Sequence, residues 1–312
     1  MSRNPIGTRA VSDTIFFIFL FAFGTLVGSF LNVVTLRYSP EGRLFSRHDI
    51  GGRSHCPSCM RTLRWFELIP LLSFLAQLGR CRSCKAPLSV QYPLVEVAGG
   101  AILAGIPFIL NGFYGISAGR FFGFDVGAWY YALVAFWVAI VLSLLIVTII
   151  DLRHSIIPNG LNLSIGILGV GVTALVALNA GSLPPFHDSF LMQYRLIFSP
   201  FESALLNHLL GALVGGALFW VLSFFSRGRA MGMGDVKLAF ALGLALGWPD
   251  IGLAIALSFI AGGIWGGVLL ATKQRHFGDH VPFGPFLVLG SILTLCMGFV
   301  LIRWYFSFFS LP

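Results

Sequence analysis

The chain has 312 residues, 57% of them apolar and 10% charged, with a formal charge of +8 and a mean hydropathy of +0.88. A water-soluble domain carries about a quarter charged residues, so an ordinary soluble fold is excluded. The positive charge needs no nucleic acid, because a basic protein face beside anionic lipid accounts for it.

Apolar runs near twenty residues recur along the chain, each able to cross a hydrocarbon core of roughly 30 Å as a helix. Inside lipid every backbone amide must be satisfied within its own segment, which selects helices. The spans expected are about 14–36, 93–111, 128–150, 160–179, 204–225, 235–248, 251–271 and 283–306. The fold class is therefore an all-α polytopic membrane protein with about eight transmembrane helices. The first run follows Arg3 and Arg9, but its apolar core is too long for a signal peptide and no A-x-A site follows. It is expected to be a retained helix. Only "GWPD" separates the sixth span from the seventh.

Lysine and arginine placement sets the orientation. With the N-terminus outside, fifteen basic residues lie inside, nine of them in 37–92, and five lie outside. Both termini are thus expected outside. Residues 1–36 form the outer N-terminus and first helix, 37–92 a cytoplasmic domain, and 93–312 a second transmembrane part.

Residues 37–92 contain "CPSC" (Cys56, Cys59) and "CRSC" (Cys81, Cys84), spaced C-x2-C-x21-C-x2-C. Four thiolates at this spacing can close a tetrahedral Zn²⁺ site of zinc-ribbon type. The alternative is two disulfides or four unrelated thiols, and a reducing cytoplasm argues against disulfides. Four sulfurs leave no open position for catalysis, so the metal would be structural. A domain this small needs such a staple. Cys296, in the last span, is expected to be a buried apolar thiol.

Of twelve acidic residues, most fall in loops, in the cysteine domain or at outer helix ends, Asp250 among the last. Asp151 and Asp235 instead sit at inner ends of spans. Ionisable groups at membrane depth are costly and tend to mark function, yet an Asp at a helix start can simply cap it. Their pairing at matched depth favours chemistry. Two facing carboxylates cannot both ionise easily, so one serves as acid and the other as base. Gly232 and Gly234, flanking Met233, would let a substrate backbone lie against Asp235 and would permit positive φ.

Here the chain resembles the type IV prepilin peptidases, which belong to the GxGD class of aspartic proteases. The likeness runs nearly end to end. It is carried by "GSFLNVVTLRYSP" (28–40), the two cysteine pairs, "PLSVQYPLVEVAGG" (87–100), "DLRHSIIPNGLN" (151–162), "GMGDVKLAFALG" (232–243) and "VPFGPFLVLG" (281–290). The resemblance implies Asp151 and Asp235 as a catalytic pair. It implies removal of a basic leader from prepilins or pseudopilins after a glycine, on the cytoplasmic side of a bacterial inner membrane. It also implies methylation of the new N-terminal residue with S-adenosylmethionine. No G-x-G-x-x-G fingerprint in 37–92 reveals a methyl-donor site. Because a basic leader would meet a basic protein face, Glu67, Glu96 or lipid head groups are its expected contacts. The competing reading is a transporter or proton-coupled channel with a paired-Asp relay. Such proteins often show internal repeats, and none is evident here. A metal-stapled scaffold without chemistry is a further alternative.

Overall fold

A computed structural model describes residues 5–40, 51–114, 128–183, 186–229, 231–274, 276 and 281–309. Among these the structure is helical: α1 Pro5–Arg37, α2 Leu72–Ala76, α3 Gln91–Phe113, α4 Ala128–His154, α5 Asn159–Leu178, α6 Arg195–Phe198, α7 Ala204–Phe225, α8 Met233–Leu246, α9 Asp250–Ala271 and α10 Gly284–Ser307. Strand pairing among the described residues is limited to two isolated bridges, His55 with Thr62 and Arg80 with Pro87. Seven helices are long and apolar enough to cross a membrane: α1, α3, α4, α5, α7, α9 and α10. The chain is a multi-pass membrane protein.

The sixth expected span departs from the rest. It forms α8, whose 14 residues extend only about 21 Å, short of a bilayer core. Gly247, at φ +79°, ends it in a conformation that glycine adopts without strain. Nine of its residues are buried, so α8 is held inside protein rather than by lipid on all sides.

The chain divides into two compact units. The first runs to Phe108 and contains α1, the cysteine domain and most of α3. Its helices α1 and α3 meet backbone to backbone. A Cβ built on Gly24 would lie 2.5 Å from the carbonyl oxygen of Gly99, and one on Gly28 equally close to that of Val95. Such small-residue contacts replace the hydrophobic drive that lipid removes. Asn32, fully buried, accepts a hydrogen bond from Gln91 Nε2 at 2.9 Å. Buried Glu96 accepts the Leu71 N–H at 2.8 Å.

The second unit, from Ile109 onward, contains α4 to α10. Short α8 is its centre, packed against α5 and α7, while α9 pairs with α10. A Cβ on Gly211 of α7 would lie 2.6 Å from the Gly247 carbonyl carbon, and one on Gly169 of α5 3.1 Å from the Ala245 nitrogen. Thr173 donates to the Leu244 carbonyl at 2.7 Å, and His208 Nδ1 lies 2.8 Å from that same oxygen. Glycine faces on two neighbours thus grip one short helix.

Two expectations are corrected in this unit. Asp250, sorted with the peripheral acids, is buried at 1% exposure. It accepts bonds from Ser189 Oγ, Phe190 N–H and Leu191 N–H at 3.0 to 3.2 Å. It anchors the segment before α6 to the start of α9. Cys296 lies on the outward face of α10 and is exposed, since a thiol facing lipid meets the same apolar surroundings as one in a core.

Candidate active site

Asp151 falls inside the last turn of α4, one residue beyond the apolar run expected to end the span, and is 4% exposed. Its Oδ2 accepts the backbone N–H of Gly284, the first residue of α10, at 3.0 Å. An α-helix N-terminus offers unsatisfied amides and positive potential, so this contact suits an anion. Gly284 cannot be larger. A Cβ there would sit 2.5 Å from Asp151 Oδ2 and 3.2 Å from its Cγ.

Asp235 occupies the first turn of α8. Its Oδ2 accepts the Gly232 N–H at 3.3 Å, and its own N–H donates to the Gly232 carbonyl at 3.2 Å. This reciprocal arrangement is the helix cap that the sequence allowed. The cap engages only one oxygen: Oδ1 is buried and receives no protein hydrogen bond. Asp151 acts electrostatically on Asp235. Ile157, from the turn between α4 and α5, bridges the two groups. It lies 3.3 Å from a Cβ placed on Gly284 and 3.2 Å from one placed on Gly234. The ends of α4, α8 and α10 therefore converge around Ile157 and bring buried Asp151 and half-buried Asp235 into one carboxylate pair, a geometry compatible with a shared proton.

The glycines differ in their surroundings. Gly232 has φ −80° and ψ 158°, extended backbone open to any residue, so the expected need for positive φ does not arise. A Cβ on it would meet nothing nearer than 3.7 Å. Gly234 abuts Ile157, and its carbonyl accepts Asn162 Nδ2 at 3.2 Å. Sequence reasoning passed over Gly284 and Asn162. The only signal for Gly284 was its place in "VPFGPF", a segment with no chemistry-bearing side chain.

In the other unit, the four cysteines gather as expected. Their sulfurs all lie within 4.8 Å of one another, and none forms a disulfide. Cys56 Sγ and Cys84 Sγ are 3.9 Å apart. Tetrahedral Zn–S bonds of about 2.3 Å put sulfurs about 3.8 Å apart, so the donor set fits zinc. The two knuckles repeat one design. Met60 N–H donates to the Cys56 carbonyl at 2.9 Å, and Lys85 N–H to the Cys81 carbonyl at 3.0 Å. Met60 and Lys85 share φ 57°, a left-handed turn that folds each chain back around its sulfurs. Backbone N–H groups of Cys84 and Ser83 lower the Cys81 thiol toward the thiolate that binds metal, while burial and the neighbouring thiols raise that of Cys84. Arg61 ties the knuckles together, donating to both oxygens of Glu67 at 2.7 to 2.8 Å and to Ser83 Oγ. Glu67 also accepts the Arg64 N–H at 2.8 Å. The Arg64 amide, with Arg61 in support, holds the Glu67 carboxyl below the usual glutamate value. Glu67 and Glu96 are therefore satisfied internally, which corrects their expected role as contacts for a basic leader.

Comparison with known proteins bears on this arrangement. The family profile described as Bacterial Peptidase A24 N-terminal domain matches residues 22–109, and that of the Type IV leader peptidase family matches residues 138–267. Curated proteins named prepilin leader peptidase/N-methyltransferase align along nearly the whole chain. One from Aeromonas hydrophila is 30% identical over 95% of both chains. One from Bacillus subtilis is 31% identical over 92% of this chain and 96% of its own. The chain belongs to the prepilin leader peptidase/N-methyltransferase family. A relative from Pseudomonas aeruginosa, 30% identical over 91% of both chains, carries the same name. No solved structure matches this chain. Membership in a peptidase family leaves the transporter and scaffold readings without support.

Proposed function

We propose that this chain is a membrane aspartic endopeptidase that removes the basic leader from type IV prepilins or pseudopilins and N-methylates the new N-terminus with S-adenosylmethionine. The observation that carries the peptidase reading is the convergence of Asp151, Asp235 and the Gly284 amide at the ends of three helices. The Gly284 N–H supports Asp151 as the ionised partner, and the shared proton then resides on Asp235. Asp151 takes a proton from water, whose oxygen attacks the scissile carbonyl carbon, while Asp235 protonates the carbonyl oxygen. Collapse of the tetrahedral intermediate breaks the C–N bond. The leaving amine receives the proton held by Asp151, and a diol hydroxyl returns one to Asp235. Gly232 and Gly234 are the proposed substrate-path backbone, with Gly232 the open position and Gly234 closed on one side by Ile157.

Cys56, Cys59, Cys81 and Cys84 would hold Zn²⁺, which supplies folding energy to residues 37–92. S-adenosylmethionine would supply the methyl group. This second activity rests on family membership alone, since the described residues show no glycine-rich nucleotide turn. The count of basic residues supports placing both sites on the cytoplasmic side, and the family supports a bacterial inner membrane location. The test is purified protein with a prepilin substrate, with and without methyl donor. Asp151→Asn and Asp235→Asn should each abolish cleavage in protein that is still inserted and folded. The double variant should lose little more, because the pair acts as a unit. Substantial cleavage by either single variant defeats the dyad.

A further inference from the structure

Within the second unit, α8 leaves little of itself uncovered. Its exposed residues are Met233, Lys237 and Phe240, spaced i, i+4, i+7 along one stripe. Lys237 and Phe240 of that stripe, with Val236, Ala241 and Leu244, form the floor of a groove of about 910 Å³. One wall is α5, presenting Asn162, Gly166 and Ile167; the other is α7, presenting Leu213, Gly216 and Trp220. The α5 wall runs from Asn159 to Val170, about 16 Å or three helical turns.

We propose that this groove docks the apolar helical segment of the substrate that follows the scissile bond. The proposal rests on the peptidase reading above and gives that site its substrate-holding surface. Three features support it. First, the groove starts beside the dyad: its floor begins at Val236, the residue after Asp235, and Asn162 on its wall holds the carbonyl of Gly234, the residue before it. It leads away along α8, the direction in which a membrane-embedded substrate must continue from the cut. Second, a glycine stands midway on the α5 wall. A Cβ on Gly166 would meet only the Ala241 Cβ, at 3.8 Å, so another helix backbone can come close, as small residues allow between membrane helices.

The third feature separates a peptide from an acyl chain. Asn162 lines the groove at its active-site end and is 5% exposed. Its Nδ2 is committed to the Gly234 carbonyl, and its buried Oδ1 has no protein donor. A helix that unwinds for cleavage frees backbone N–H groups just beyond the scissile bond, and Asn162 Oδ1 is placed to accept one. A saturated acyl chain has no donor to offer.

The experiment uses the full chain in lipid vesicles with a full-length prepilin. A photoreactive benzoylphenylalanine is placed at Ile167 or Leu213 on the groove walls, or at Ile264 on α9. These positions are 63%, 64% and 66% exposed, so their access to lipid is matched. In an Asp151→Asn background, which holds uncut substrate, Ile167 and Leu213 should cross-link to prepilin and Ile264 should not. Separately, Gly166→Leu fills the groove. It should raise KM about tenfold with kcat and melting temperature held. Gly263→Leu, on α9 with nothing within 4 Å of its Cβ, should change neither. Cross-links from Ile167 and Leu213 to lipid alone, or to prepilin no more than from Ile264, overturn the proposal. So does a Gly166→Leu enzyme with the parental KM. If the unmodified chain does not cut prepilin at all, the peptidase reading fails instead, and cross-linking still reports on the groove.

Discussion

Gly284→Ala adds one methyl group where Asp151 already lies. The new Cβ would stand 2.5 Å from Asp151 Oδ2, against 3.4 Å for ordinary contact. The carboxylate must therefore retreat by about 0.9 Å, or α10 must shift as far. Either movement stretches the 3.0 Å Gly284–Asp151 hydrogen bond to nearly 4 Å, beyond useful range. A hydrogen bond to a charged group contributes about 1.5–3 kcal/mol. At about 1.4 kcal/mol per tenfold, kcat should fall roughly 10- to 150-fold. Misplacing a reacting group by an ångström gives a loss of similar size. Ile157 cannot absorb the change, since it is itself 3.3 Å from the new Cβ. The assay is the initial rate of prepilin cleavage by purified protein at saturating substrate, with thermal unfolding of the same sample. Gly263→Ala, which meets nothing within 4 Å, is the control. A folded Gly284→Ala enzyme that cuts within about threefold of the parent would show that the amide does not hold the carboxylate for chemistry.

Gly234→Ala places a Cβ 3.2 Å from the Ile157 Cβ, so cleavage should drop at least about tenfold, or about 1.4 kcal/mol. A protein that melts early yet cuts normally would reduce Gly234 to a packing residue. Metal analysis should find about one zinc per chain, lost when either cysteine pair is replaced by serine. Four free thiols with no stoichiometric metal would refute the site, whereas cleavage surviving in those variants would separate it from proteolysis. Glu67 has a depressed folded-state pKa, so its stabilisation is present above the ordinary glutamate value of about 4.3 and is lost as pH falls through the folded value. Hydrogen exchange of the amides near Arg64 should accelerate across that acidic window. Glu67→Gln should exchange faster already at neutral pH, with a flatter pH response, and an unchanged profile would remove the carboxylate from the account.

Membrane class, the positions of seven spans, the four-cysteine cluster and the two unusual aspartates were all legible in the amino-acid order. Hydropathy is a local sum, thiol spacing is a local pattern, and a carboxylate beside a long apolar run stands out without any fold. The family resemblance was equally legible, because its motifs are contiguous. Tertiary structure alone decided the rest. The enclosure of short α8 depends on the glycine faces of α5 and α7, and those lie on separate helices. The buried anchoring role of Asp250 depends on donors about sixty residues away. Glu67 and Glu96 are satisfied by partners that composition does not reveal. The Gly284 amide reaches Asp151 across 133 residues. Backbone amides and missing side chains leave no mark in sequence chemistry, so a site built from them becomes visible only when the helices that carry it are brought together.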